Sequence, residues 1–313
     1  MSERQIVCED LSLAIDDLRR DGFRLDSIYP ADDPRRATLS RAGESVLLTT
    51  PDAAALPEQL PSFESEFVLT RAGGTAGEGR AGMMYRDLIP SRLGGRYIAS
   101  HVTIPDGGPV ADWVHFHRLA FQMILVRRGW VRVVYQDQGE PFVMNEGDFV
   151  LQPPEIRHRV LESSPGLEVV EISAPALHET LADHELSLPN RAQPGGIFAG
   201  QYFLHHIAAA TPWSEFNGAE AQDTAMDKAS SGIADLRVIR PGCAAKIDFA
   251  AHDGELVFGF VLDGRARLDY RGGFDLGPAD AFAIPPGEAF SLEQMSDDFR
   301  LLSLSTARLD AGA

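Results

Sequence analysis

The 313-residue chain has only two cysteines, Cys8 and Cys243, far apart and in no Cys-x-x-Cys arrangement. That argues against a disulfide framework and fits a reducing compartment. No apolar stretch approaches the roughly 20 residues that a spanning helix needs. The N-terminus runs from Met1 into acidic residues without an apolar segment, so no signal peptide is expected and the location expected is cytoplasmic. No lysine/arginine-rich run offsets the formal charge of -18. A surface this acidic repels phosphate backbones and anionic lipid, so neither nucleic acid nor membrane is an expected partner. The glycine-rich segment 72–82 lacks the closing Gly-Lys-Ser/Thr of a phosphate loop and reads as a flexible surface loop.

What is present is ordinary for a globular protein: 44% apolar and 24% charged residues, in a length that suits two domains. The 29 glycines and 20 prolines suit many short strands joined by turns. Residues 9–21 carry mixed helical spacing and end at Gly22; strand-like runs follow at 23–29, 37–40 and 45–50. Residues 1–85 are therefore expected to form a small α+β extension, an accessory or oligomerisation element. From about Arg96 the texture is all-β, with strand-like runs at 97–104, 113–117, 121–126, 130–135, 149–152 and 167–172. A second set lies at 236–239, 245–249, 256–262, 266–270, 281–284 and 299–305.

An internal repeat joins the two sets. Residues 121–129 align with 256–264 when Gly129 is placed on Gly264, and 148–154 align with 280–286. The expectation is an all-β protein of two similar barrels, at 86–183 and 216–313, with 184–215 as a linker rich in proline and glycine.

His115-Phe116-His117 lies on a predicted strand. Side chains two apart on a strand share a face, so both imidazoles reach one point inside a barrel. Gln122 opens the next strand, and His158 follows a Pro-Pro bend. Three neutral imidazoles with one oxygen donor suit Zn, Fe, Mn, Ni or Cu.

The wider spacing resembles the cupin superfamily, whose first motif is G-x5-H-x-H-x3-4-E-x6-G. His115, His117, Gln122 and Gly129 fall in register, with Gln122 in the glutamate position. Pro109 stands where the leading glycine belongs, and Gly108 precedes it. The second motif, G-x5-P-x-G-x2-H-x3-N, is matched at Gly147, Pro153 and His158; Glu155 replaces the inner glycine and Glu162 the asparagine. The resemblance covers about residues 96–175 and, more weakly, 232–306. It implies two jelly-roll barrels and one divalent metal per chain, held by His115, His117, His158 and Gln122. It also implies a homodimer or higher homo-oligomer. The second copy is degenerate: Ala250, His252, Val257 and Phe290 occupy its ligand positions. That barrel is expected to be structural or to hold a dry apolar pocket.

A gentisate-dioxygenase-like arrangement, with metal in the N-terminal barrel only, implies Fe(II) and oxygenation of a small phenolic, enolic or organic-acid substrate that chelates the metal. Gln122 argues for the alternative, a non-oxidative isomerase, cyclase or lyase using Zn, Ni or Mn. A neutral amide leaves the metal's full charge, which favours Lewis acidity. A metal-dependent binding protein without turnover is the third reading. Among supporting residues, Glu155 is the candidate acid/base group. Trp113, Gln152, Arg96 and His101 are the candidate substrate contacts, chosen by strand parity and by their place near the rim.

Overall fold

Strand formation follows the alternation of apolar residues, and the strands assemble into two barrels packed back to back. The computed structural model describes residues 2–79 and 82–309. In the first barrel, one sheet contains His115–His117, Trp130–Tyr135, Phe142–Asn145 and His158–Ser163. The facing sheet contains Ile98–Ile104, Phe121–Arg128, Phe149–Leu151 and Leu167–Ala174. The second barrel repeats this with a seven-stranded and a four-stranded sheet.

The repeat is visible in register. Leu125 pairs with Val170, and Phe260 pairs with Leu302, on equivalent strands. Gly129 and Gly264 both close the turn after these strands with positive φ, +80° and +71°. A Cβ at Gly129 would lie 2.2 Å from the Ser164 hydroxyl, and one at Gly264 would lie 2.6 Å from the Phe299 backbone. Each turn therefore needs glycine for both conformation and space.

The largest apolar cluster lies between the barrels. Phe121, Phe149, Phe258 and Phe260, all fully buried, meet there with Tyr97 and Leu302. Each such side chain contributes about 1.5–3 kcal/mol by leaving water. Strands from outside the repeat bind the barrels further. Val68–Thr70 pairs with Ala281–Ile284 of the second barrel, and Leu204–His206 pairs with Phe149–Leu151 of the first. The 184–215 segment thus supplies strands as well as a connection.

The N-terminal extension is continuous with the first barrel. Asp10 caps the helix Leu11–Arg20 by accepting from the Leu13 N–H at 2.9 Å. The helix buries Leu11, Ile15 and Leu18 on the first four strands of a ten-stranded sheet. The fourth of these, Arg24–Tyr29, pairs with Thr180–Ala182, which pairs in turn with His115–His117. The extension therefore braces the strand that carries two of the histidines. Among the described residues, no helix is long and apolar enough to cross a membrane.

Candidate metal centre

His115, His117 and His158 converge inside the first barrel, each offering a ring nitrogen within 4.8 Å of the others. All three are buried. The strand pairing that does this is direct: His115 lies opposite His158 across an antiparallel ladder. Local backbone then orients the rings. His115 Nδ1 donates to the Trp113 carbonyl at 2.7 Å, and His158 Nδ1 donates to the Ile156 carbonyl at 3.0 Å. In a neutral imidazole this keeps the lone pair on Nε2, the usual metal-binding form. Thr180 Oγ1 lies 3.3 Å from His117 Nδ1. The buried Asp112 carboxylate lies 3.5 Å from His115 Nδ1 and accepts the Val160 N–H at 2.9 Å.

These residues fit a divalent transition metal. Three buried imidazoles, anchored at Nδ1 and convergent, form a donor set for which zinc, iron or manganese is a natural occupant. Among the described residues this is the only group of three or more potential metal-ligating His, Cys, Asp or Glu side chains.

Gln122 lines the same cavity, of about 90 Å³. Its amide is held at both ends. Nε2 donates to Glu171 Oε1 at 2.8 Å, and Oε1 accepts from the Gln152 amide. Gln152 Oε1 in turn accepts from the Tyr135 hydroxyl at 2.9 Å. The result is a chain, Tyr135–Gln152–Gln122–Glu171, along the cavity wall. Tyr135 also stacks on His158, with ring centroids 5.4 Å apart. Complete burial pushes its phenol pKa well up, so it is a neutral donor.

Several residues expected at the site lie elsewhere. Parity turns Val102 and Ile104 toward the cavity and His101 toward the second barrel, where it meets Phe260 at 5.7 Å and, from the neighbouring strand of its own barrel, Glu168 at 2.8 Å. Arg96 is buried between the barrels, with its Nε 2.8 Å from Glu255 Oε2. The Trp113 ring packs against the N-terminal extension, 5.8 Å from the Arg19 guanidinium, while its carbonyl holds His115. Glu155 sits on a turn with φ 61° and faces solvent beside Arg118 at 3.6 Å. None of these four lines the cavity. Gln152 does.

Glu171 is the residue that sequence reasoning missed. Its signal was a lone carboxylate at an alternate position of the strand Leu167–Ala174, in phase with Leu167 and Val169, which also line the cavity. Tyr135, Asp112 and Thr180 carried no comparable signal.

No protein-family model matches the chain, and no curated protein does. Solved structures do match. Protein Ylba from E. coli superposes with a TM-score of 0.59 at 11% identity, covering 82% of this chain and 97% of that one. Bacillus subtilis oxalate decarboxylase gives 0.51 at 13% identity, covering 83% and 79%. A protein from Pseudomonas aeruginosa described as glyoxylate-induced gives 0.54 at 11% identity, covering 82% and 94%. One structure of the decarboxylase concerns its Mn(II) centres.

The fold shared with these structures is that of two cupin-type jelly-roll barrels. In this chain the three-histidine group belongs to the first barrel.

Proposed function

We propose that the protein is a mononuclear metal-dependent enzyme that moves a proton on a small organic acid without consuming oxygen. The observation that carries this reading is the Glu171 carboxylate, fixed by Gln122 at the wall of the cavity that the three histidines share. His115, His117 and His158 would hold a divalent metal, with Gln122 Oε1 as the fourth donor. When bound, such an ion supplies Lewis acidity, stabilising negative charge on a chelating carboxylate or enolate.

The chain's own groups do the rest. Glu171 Oε1 accepts from Gln122 and from Ser173 at 3.4 Å, which orients the carboxylate. Its Oε2 has no hydrogen-bond partner among the described residues and is the atom to take and return a proton. Apolar neighbours such as Val133, Ile124 and Met144 exclude water. The small cavity favours a substrate of a few heavy atoms over a substituted phenol.

The oxygenase alternative rests on family resemblance, with Fe(II) in place of Zn, Ni or Mn. Elemental analysis of protein purified without added metal, followed by assays of small hydroxy-, keto- and dicarboxylic acids with and without air, separates the two. Full turnover under nitrogen with a redox-inert metal supports proton transfer. Iron at one per chain and strict dependence on oxygen would overturn it.

A further inference from the structure

The second barrel was expected to be structural or to enclose a dry apolar pocket. Instead it contains a cavity of about 270 Å³ with one polar and one aromatic wall. The polar wall comes from two adjacent strands, Ala234–Arg240 and Arg300–Thr306. Asp235 lies opposite Ser305, and Arg237 opposite Ser303, so four polar side chains form a two-by-two array on the inner face. Leu236, Leu302 and Leu304, at the alternate positions, face the core between the barrels.

The aromatic wall comes from the opposite sheet. Phe249 and Phe290 are paired neighbours whose rings stack at 4.4 Å and 3°. Phe216 closes the side, 5.0 Å from the Arg237 guanidinium. The register makes Ser303 the counterpart of Glu171, and Val257 the counterpart of Gln122. Of the four motif ligand positions in this barrel only His252 carries a metal-donor side chain, and the cavity is differently equipped.

The polar groups are incompletely used. Asp235 Oδ2 takes the Nε edge of Arg237 at 3.0 Å, and Nη1 has no partner among the described residues. The hydroxyls of Ser303 and Ser305 likewise make no hydrogen bond among the described residues. His252, which also lines the cavity, has Nε2 3.3 Å from the Ile284 carbonyl, while its Nδ1 is buried without a partner. A buried polar atom left this way is destabilising unless something meets it. The two charges of this cavity compensate each other, so it offers no net attraction to an ion.

We propose that the second barrel is a metal-free binding site for a neutral hydroxylated ring, its flat face against Phe249 and Phe290 and its hydroxyls on Arg237, Asp235, Ser303 and Ser305. Aromatic surface opposite a few converging donors and acceptors is the usual composition of a small-ligand pocket. The ring is either saturated, as in a monosaccharide, or aromatic, as in a polyphenol.

Ligand-observed NMR on the full-length protein decides this, with glucose and resorcinol as the two probes and benzoate as the anionic control. Saturable millimolar binding of one neutral probe is expected, and the probe that binds identifies the source. His115→Ala should leave that affinity unchanged. Arg237→Met should weaken it about tenfold, and the double change Ser303→Ala with Ser305→Ala several-fold. If Arg237→Met fails to fold by circular dichroism, the serine pair decides. The proposal is overturned if neither neutral probe binds or if benzoate binds more tightly than both. It also fails if the changes in the second barrel leave affinity intact, or if only His115→Ala abolishes binding.

Discussion

The Gln122 amide donates to the Glu171 carboxylate across 2.8 Å, linking the fourth motif position to a negative charge on the neighbouring strand. The carboxylate that cupin motifs place at the metal therefore stands one side chain further out. It neutralises less of a bound ion's charge there, and it orients the amide.

Removing that anchor tests the arrangement. Glu171→Ala frees Gln122 Nε2 and should reduce metal affinity about 10- to 100-fold, the range for groups that orient ligands. Competition against a fluorescent chelator reads this directly. Glu171→Gln should retain most of the bound metal and lose turnover. An unchanged turnover number in that variant would rule out a proton-transfer role.

The histidines make a simpler prediction. His115→Ala should bring the metal content near zero while far-ultraviolet circular dichroism stays that of a β protein. Chelator treatment of the parent should lower its melting temperature, because a metal held by the folded state alone stabilises it. The same chelator should leave the melting temperature of His115→Ala unmoved.

Acid should destabilise the fold through its buried imidazoles. His101 has its pKa lowered by burial first and then by the adjacent Arg86. Burial likewise lowers His205 and His206. Each binds a proton less readily folded than unfolded, so the unfolded chain takes up more protons and stability rises with pH. This contribution is complete above the unfolded value of about 6.5 and is lost as pH falls through the lower folded values. Glu168 has its pKa lowered as well, by Arg127 and His101 against the effect of burial, so its stabilising contribution disappears only at more acidic pH. The urea midpoint should therefore fall between about pH 8 and about pH 5, and less steeply in His101→Asn. A flat profile would contradict the burial of these rings.

Arg96 and Glu255 form a buried ion pair between the barrels, side chains 7% and 8% exposed, with Tyr97 also donating to Glu255 at 2.9 Å. Glu255→Gln should cost about 3–5 kcal/mol, because it leaves the guanidinium buried without its counter-charge. Replacing both partners, Arg96→Met with Glu255→Leu, should recover much of that loss. Chemical denaturation of the three variants measures the difference.

The convergence of the three histidines was legible because strand parity and motif spacing are linear properties. His115 and His117 are two apart on a strand, and turn glycines fix where His158 returns. Gln122 followed from the motif spacing, and Gln152 from its place near the rim. Arg96 and His101 did not, because a strand entering a barrel has two buried faces here, and composition does not say which faces the cavity and which the neighbouring barrel. Trp113 has the right parity for the cavity but packs its ring outward on the N-terminal extension, a neighbour that its own strand does not reveal.

The sequence, read alone, determined the two-barrel repeat and its turns, which recur as local patterns, and it paired His115 with His117, two apart on one strand; His158 was assigned through the spacing of the second motif. Pairing between distant strands decided the rest. Glu171 meets Gln122 only because their strands are adjacent in the folded sheet. The polar array of Asp235, Arg237, Ser303 and Ser305 exists only once residues some 70 positions apart lie side by side. Such contacts are set by the packing of whole sheets, and no local spacing encodes them.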